Sequence, residues 1–295
     1  MLLYNYLAFK NILLFIINSL SLKKDHLSKL IKKWKIKVII IRKYQLSKIS
    51  KKFIKNSIFK FWKMIEKPEK EENIDVLEYP NGDKYIGSVF EKKRDGFGVY
   101  ISHFGDKYIG NFKKDSRNGL GLEIFNESEE YFGEWKNNYF SGRGKYVFSN
   151  GDIFEGELVN QEIDGFGVLY FKKGGEYIGK FKEGKRLGFG YRKYPNGDIY
   201  EGSWNSVKDG FGKFTYFNGD IYEGMFKNDK RNGWGIYRTK EGTKYEGEWK
   251  DDMKDGYGCY TFEDGTRYEG EYKNDERTGK GYFVFPNGKI QFDGD

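Results

Sequence analysis

The stretch YEGEWKDDMKDGYGCYTFEDGTR, residues 245–267, decides the fold of this chain. It opens with an aromatic residue, a glycine and a second aromatic residue at alternate positions, Tyr245, Gly247 and Trp249. Alternate residues of a β-strand lie on the same face, so the opening predicts a strand that carries two rings and a glycine on one side. A Gly-Tyr-Gly triplet at 256–258 begins a second alternating run. The stretch therefore predicts a β-hairpin.

The same unit recurs through most of the chain. Its aromatic-x-Gly opening occurs nine times, at a spacing of 23 residues except for one spacing of 22. All 39 glycines of the 295-residue chain lie in 82–295, and each unit carries a Gly-x-Gly pair in phase with its opening. Self-similarity at a fixed period is the signature of a repeat array. The openings begin at Tyr85, Tyr108, Tyr131, Phe154, Tyr177, Tyr200, Tyr222, Tyr245 and Tyr268.

Two sets of turn signals are expected to connect the strands. Asp-Gly and Asn-Gly pairs accept the positive φ angles that tight hairpin turns need. Within the units, we expect the turns to end in such pairs, as at Asp95-Gly96. A second set links one unit to the next, as at Asn81-Gly82. Every strand then meets its neighbour through a short turn, which predicts an up-and-down antiparallel sheet.

Glycine inside a strand normally weakens the strand. Here glycines alternate with rings on one face, so we expect each glycine to leave room for a large ring from a neighbouring strand to lie over the backbone. Such packing predicts a thin aromatic core on one face without a second layer. At about 10 Å for each two-strand unit, the units would form an elongated single-layer sheet.

These units resemble MORN (membrane occupation and recognition nexus) repeats, whose signature is Tyr-Glu-Gly-x-Trp followed by Gly-x-Gly. The resemblance covers about 77–295, with Phe154 in place of one leading tyrosine and Val89 and Leu158 in place of two second aromatics. It implies a mainly β fold of about nine tandem 23-residue hairpins in one antiparallel sheet. Similar arrays occur in lipid kinases, junctophilins, a histone methyltransferase, radial-spoke head proteins and cytoskeletal scaffolds. The resemblance is therefore specific for the fold and weak for function.

The first part of the chain has a different composition and a different expected architecture. Residues 1–67 carry 17 Lys or Arg and 2 Asp or Glu, whereas the whole chain has a net charge of +8. Residues 1–22 are mostly apolar, but Lys10 makes a membrane-spanning helix marginal, and a packed helix or a mis-predicted gene start are the alternatives. Residues 23–67 place apolar residues at helical spacing among lysines, which predicts a basic amphipathic α-helical segment. Residues 68–76 are then a linker to the array.

Three roles are open to the basic segment. A basic amphipathic helix can lie on an anionic membrane, be wrapped by calmodulin, or pack on the sheet with a solvated lysine face. Each lysine near an anionic surface contributes on the order of 1 kcal/mol. No nucleic acid partner is expected, because no fold motif accompanies the charge. The candidate contacts for anionic lipid are Lys32, Lys33, Lys35, Lys37, Arg42, Lys43, Lys51 and Lys52.

No convincing catalytic or metal-binding constellation stands in the sequence. The two histidines, His26 and His103, and the single cysteine, Cys259, make no Ser-His-Asp or Cys-His arrangement. A lone cysteine excludes an internal disulfide framework and a cysteine-rich zinc site. The repeats leave no room for the kinase or methyltransferase domain that accompanies similar arrays elsewhere. We therefore expect a non-enzymatic protein without a cofactor.

Two functional hypotheses remain. In the first, the array is a scaffold or adaptor that binds protein partners in the cytoplasm, at the cytoskeleton, a cilium or the cell cortex. In the second, the basic segment binds phosphoinositides or another anionic membrane while the repeats hold a partner. The open edge after Gly288 could also pair with a second copy, because unpaired strand edges invite association, and this predicts a homodimer.

The candidate partner surface is the residue between the paired glycines. Its side chain points away from the glycine face, so it forms either a second packed surface or a partner site. Strands favour aromatic residues in general, which supports the first alternative. Units three and nine carry Arg143 and Lys280 at this position. The other seven units carry Phe97, Leu120, Phe166, Phe189, Phe211, Trp234 and Tyr257.

Overall fold

A computed structural model of the chain describes residues 74–125 and 128–293, apart from the side chains of Ile74 and Lys280. All of these residues belong to the second of the two units into which the chain divides, Pro68–Asp295. The predicted apolar segment 1–22 and the predicted basic helical segment 23–67 lie outside the described residues.

The described residues form one sheet of 20 strands. Each strand pairs antiparallel with the next strand in sequence, which confirms the up-and-down sheet. The first strand begins at Ile74, inside the segment 68–76 that was expected to be a linker. The strands are β1 (Ile74–Glu78), β2 (Lys84–Phe90), β3 (Lys93–Ile101), β4 (Lys107–Lys113), β5 (Ser116–Phe125), β6 (Glu129–Lys136), β7 (Tyr139–Val147), β8 (Ile153–Val159), β9 (Glu162–Tyr170), β10 (Glu176–Lys182), β11 (Lys185–Lys193), β12 (Ile199–Asn205), β13 (Val207–Thr215), β14 (Ile221–Lys227), β15 (Lys230–Arg238), β16 (Lys244–Lys250), β17 (Met253–Thr261), β18 (Arg267–Lys273), β19 (Glu276–Val284) and β20 (Ile290–Asp293).

The register places the repeat glycines in one continuous line across the sheet. Gly87 lies opposite Gly98, which lies opposite Gly110, and the pairing continues strand by strand to Gly281. Because glycine has no Cβ, the line leaves a channel in one face of the sheet. Its members are Gly87, Gly98, Gly110, Gly121, Gly133, Gly144, Gly156, Gly167, Gly179, Gly190, Gly202, Gly212, Gly224, Gly235, Gly247, Gly258, Gly270 and Gly281.

The leading rings fill this channel. A Cβ added to Gly247 would lie 2.7 Å from Oη of Tyr245, and a Cβ added to Gly258 would lie 2.6 Å from Cε2 of the same ring. Each leading ring therefore covers a glycine of its own strand and a glycine of the next strand, which confirms the expected ring-on-glycine packing. All nine leading rings are at most 1% exposed.

In most units, the tyrosine hydroxyl donates a hydrogen bond to a backbone carbonyl at the register shift within the unit. The pairing of β16 with β17 shifts register between Gly247 and Trp249, so Glu248 has no partner residue on β17. Oη of Tyr245 donates to the carbonyl oxygen of Glu248 at 3.0 Å. Buried backbone carbonyls need such partners, which explains why the leading ring is usually tyrosine. The same bond, at 2.8–3.4 Å, is donated by Tyr85, Tyr108, Tyr131, Tyr177, Tyr200 and Tyr222.

The second aromatic residues join the leading rings into a ladder. Trp249 packs edge-on between Tyr222 and Tyr245, with ring centroids 5.4 and 5.1 Å apart. Such T-shaped pairs stabilise a core by about 0.5–1.5 kcal/mol beyond the area they bury. The same arrangement repeats along the core, except at Val89 and Leu158, where an aliphatic side chain takes the place of the ring.

The turns within the units lie four residues before their predicted position. In the first unit the turn consists of Glu91 and Lys92, whose φ angles are 48° and 61°. The prediction that this turn ends at Asp95-Gly96 is wrong, since Gly96 lies inside β3. Gly96 does adopt a positive φ of 103°, but it uses this conformation in the bulge opposite the register shift of β2.

The turns that link one unit to the next lie where they were predicted. At Asn81-Gly82, the glycine has a φ of 91° and its N–H donates to the carbonyl of Tyr79 at 2.9 Å. The single spacing of 22 residues also has a local cause. Ser206 alone connects β12 to β13, whereas the corresponding turn of every other repeat has two residues.

Candidate binding surface

Five residues between paired glycines form one line on the face opposite the rings. The second glycine of each pair packs against a leading ring, as Gly258 does against Tyr245, so the residue before it in the strand faces away from the aromatic core. They are 49–71% exposed, whereas Phe97 and Leu120, the other two predicted members, are half-buried. We call the five residues the exposed aromatic row: Phe166, Phe189, Phe211, Trp234 and Tyr257.

The strand that follows each row member contributes one residue to the same line. Neighbouring strands lie about 4.8 Å apart, so successive members of the exposed aromatic row lie about 10 Å apart. The intervening residues begin with a lysine, pass through serine and methionine, and end with two glutamates. Opposite the row members in chain order stand Lys180, Ser203, Met225, Glu248 and Glu271.

A line of carboxylates runs beside the row on the same face. Glu223 lies 3.1 Å from Nη1 of Arg238, and Glu246 lies 2.8 Å from Nζ of Lys244. Exposed pairs of this kind contribute little stability. Because these carboxylates face cations across or along the strands, the line forms a polar rim to the row.

The face that carries the rings is covered by a second line, of cations, which the sequence analysis did not identify. Cζ of Arg231 lies 4.1 Å from the ring centroid of Trp249, and its Nε lies 3.1 Å from Oδ1 of Asp252. The signal was present in the sequence as a basic residue two positions before each Gly-x-Gly, with Phe140 and Ile163 as the exceptions. The cations are Arg94, Arg117, Arg186, Lys208, Arg231, Lys254 and Arg277.

The single described histidine takes part in a loop contact. Nδ1 of His103 lies 2.8 Å from Oδ1 of Asp83, and the hydroxyl of Tyr100 donates to the same carboxylate. The bonds from Tyr100 and then His103 hold the pKa of Asp83 well below its ordinary range. Asp220 accepts a hydrogen bond from Tyr237 in the equivalent place, so the contact belongs to the repeat and not to a catalytic dyad.

Neither an activated cysteine nor a cluster of metal-ligating side chains occurs among the described residues. Cys259 is half-buried on β17, and burial raises the pKa of its thiol, the opposite of the shift that activates a nucleophilic cysteine. Within 74–125 and 128–293, no group of three or more His, Cys, Asp or Glu side chains could hold a metal ion. His26 lies outside the described residues.

Two further predicted contacts concern lipid and a second copy of the chain. The candidate lipid contacts in 32–52 lie outside the described residues. No helix long and apolar enough to cross a membrane occurs in the part of the chain that the structure describes. Among the described strands β20 pairs with β19 alone, and the homodimer through this edge stays a prediction.

Comparison with known proteins identifies the repeat. The model of the MORN repeat matches nine consecutive segments: 85–103, 108–127, 131–153, 154–176, 177–199, 200–221, 222–244, 245–267 and 268–290. No curated protein matches the chain.

Among solved structures, the TCP10 domain of Danio rerio CPAP is similar at a TM-score of 0.40 and 11% identity, over 74% of this chain and 98% of that chain. The same domain in complex with a peptide of Danio rerio STIL is similar at a TM-score of 0.34 and 15% identity, over 75% and 98% of the two chains. Similarity at this level does not extend to function. The nine matched segments cover most of the sequence, and the chain belongs to the MORN repeat family.

Proposed function

We propose that this chain is a non-enzymatic scaffold whose repeat array binds protein partners through the exposed aromatic row. The proposal rests on one observation: five large apolar side chains, 49–71% exposed, stand in one line over consecutive repeats. Contiguous apolar surface marks interaction sites on soluble proteins. Aromatic residues also dominate the energetic centres of protein interfaces.

The alternative reading of this position, a second packed surface, fits only part of the set. Phe97 and Leu120 are half-buried and are consistent with packing. Phe166 and Phe189 are 63% and 71% exposed, so their rings contribute little to the stability of the sheet. The row has a polar rim beside it, and the core on the opposite face of the sheet is covered by cations. The row is therefore the described surface best suited to a partner.

The test compares three full-length proteins in matched affinity purifications from the source cells. They are the wild type, a row variant with Phe189→Ser and Phe211→Ser, and a control, Phe217→Ser. Phe217 is 75% exposed but lies in a turn between repeats, outside the row. All three should unfold at the same urea concentration, because each substitution removes an exposed ring.

We expect a protein recovered with the wild type and the control to be lost from the row variant. The purified partner should then bind the row variant at least tenfold more weakly than it binds the control. If the row variant recovers the same proteins with unchanged affinity, the proposed function is wrong.

The basic segment supports a second candidate function, membrane tethering. The 17 basic and 2 acidic residues of 1–67 are the observation in its favour, since such a segment is attracted to anionic lipid. Full-length protein should sediment with phosphoinositide-containing vesicles. A variant with Lys32, Lys33, Lys35 and Lys37 replaced by alanine should remain in the supernatant. Equal sedimentation of both proteins would remove this candidate.

The cellular location also belongs to the proposal. A cytoplasmic position at the cytoskeleton, a cilium or the cell cortex follows from the resemblance to repeat scaffolds found there. Fluorescent tagging of the full-length chain and of the row variant tests it, because a partner that sets the location should release the row variant.

A further inference from the structure

We propose that the exposed aromatic row binds a polyproline II segment that places an apolar residue, proline above all, at every third position. This inference rests on the proposed function and adds to it the conformation and spacing of the bound peptide. It starts from the distance between the rings.

The spacing of the row matches one turn of a polyproline II helix. Successive row members stand two strands apart, which is about 9.6 Å. A polyproline II helix has three residues per turn and rises about 3.1 Å per residue, so its turn is about 9.3 Å. From Phe166 to Tyr257 the row makes four steps. Over that distance, about 38 Å, the peptide loses register with the rings by only about 1 Å.

Other regular conformations fit this spacing less well. An α-helix returns to the same face after seven residues, or about 10.5 Å, and would be about 4 Å out of register after four steps. An extended strand presents one face every second residue, at about 6.7 Å, and so falls between the rings.

The ligand must also bend. Adjacent strands of a sheet are rotated by about 20–25°, so a segment that crosses many strands has to turn with them. A polyproline II segment has no internal hydrogen bonds to break when it bends. An α-helix of the same length would stay nearly straight.

The chemistry of the row suits such a ligand. Aromatic grooves recognise polyproline II segments in other proteins because the rigid, preformed peptide loses little entropy on binding. Trp234 is 52% exposed and carries an indole N–H that can donate to a carbonyl of the peptide. Ser203 and Met225 keep the centre of the line uncharged.

The charges at the two ends of the line give the ligand a direction. Lys180 lies opposite Phe166, and Glu271 lies opposite Tyr257. Both charged side chains are exposed. A basic residue of the peptide is therefore placed at the Tyr257 end of the row, where opposite charges set orientation more than affinity.

The test uses synthetic peptides of about 13 residues, the length that four steps require at about 3.1 Å per residue. One peptide carries proline at every third position and a terminal arginine. The second has the same composition, with its prolines moved off the three-residue period. Binding to the full-length protein is followed by fluorescence anisotropy, and we expect the first peptide to bind at least tenfold more tightly.

Three variants separate the row from other effects. Phe211→Ser should weaken the binding of the period-three peptide at least tenfold, whereas Phe217→Ser should leave it unchanged. Glu271→Lys should weaken binding of the arginine-bearing peptide and leave an arginine-free version unaffected. Equal binding of the two proline spacings, or wild-type binding by Phe211→Ser, would overturn the inference.

Competition distinguishes this inference from the proposed function. A natural partner that requires the row but is not displaced by the period-three peptide would leave the proposed function intact and contradict the polyproline II ligand. Binding of the peptide to a row that no cellular protein needs would contradict the proposed function instead.

Discussion

The hydroxyl of the leading tyrosine has a defined structural task, which can be measured at a single residue. Oη of Tyr245 donates to the carbonyl of Glu248, which has no ladder partner on β17. We expect Tyr245→Phe to lower the free energy of unfolding by about 1 kcal/mol, because that buried carbonyl loses its donor. Phe154 occupies the same place in the fourth repeat, so the variant should still fold. Urea denaturation followed by tryptophan fluorescence measures the loss.

The ninth repeat supplies a matched control for this prediction. Oη of Tyr268 is buried without a hydrogen-bond partner among the described residues. Oγ1 of Thr278 donates to the carbonyl of Glu271 at 3.2 Å in its place. Removing an unpartnered hydroxyl relieves a desolvation penalty, so Tyr268→Phe should be neutral or slightly stabilising. Equal losses in Tyr245→Phe and Tyr268→Phe would show that the carbonyl contact is not the cause.

At the scale of the hairpin, the two turn residues of the first repeat are poorly suited to the backbone conformation they adopt. Glu91 and Lys92 both adopt left-handed φ angles, which cost ordinary residues about 1–2 kcal/mol each. Asn-Gly is the preferred pair for such a turn. We expect Glu91→Asn with Lys92→Gly to raise the free energy of unfolding by about 1 kcal/mol, measured by urea denaturation.

In the seventh repeat, placing glycine at the second position of the turn should not stabilise the protein. Oδ1 of Asp229 accepts the N–H of Lys208 at 2.9 Å, so its side chain ties the turn to the preceding repeat. Asp229→Gly removes this bond and should lower stability. A gain of stability in Asp229→Gly would mean that backbone strain outweighs the side-chain contact in these turns.

These turns also show what the sequence could and could not predict. The period, the strand order and the ring-on-glycine packing follow from the sizes of neighbouring side chains, which the sequence states directly. The position of the turn within each unit could not be predicted in this way, because residues other than glycine adopt its positive φ angles. Asn137 and Asn138 are an example. Burial at the row position also differs between Phe97 and Phe166, since it depends on neighbours that alternation alone does not specify.

Across the whole array, the ring contacts of the buried aromatic core fall into two groups. Tyr131 contacts Trp135 and Phe140, and Phe154 contacts Phe181, but no ring pair among the described residues joins Tyr131 to Phe154. Leu158 fills the place of the connecting ring and is 2% exposed, so the apolar core continues while the aromatic ladder stops. The covering cation is also replaced here, by Phe140.

Repeat arrays are stabilised by contacts between neighbours, so the weakest interface decides where they open. We expect amides of β2–β7 and of β8–β19 to exchange hydrogen as two separate cooperative groups in mild denaturant. Hydrogen exchange followed by mass spectrometry should place the boundary between β7 and β8. Replacing Phe140 by arginine and Leu158 by phenylalanine restores the residue types of the other repeats and should merge the two groups. A single group in the wild type, or a boundary that the double variant leaves unchanged, would show that the interrupted ladder does not control the cooperativity of the array.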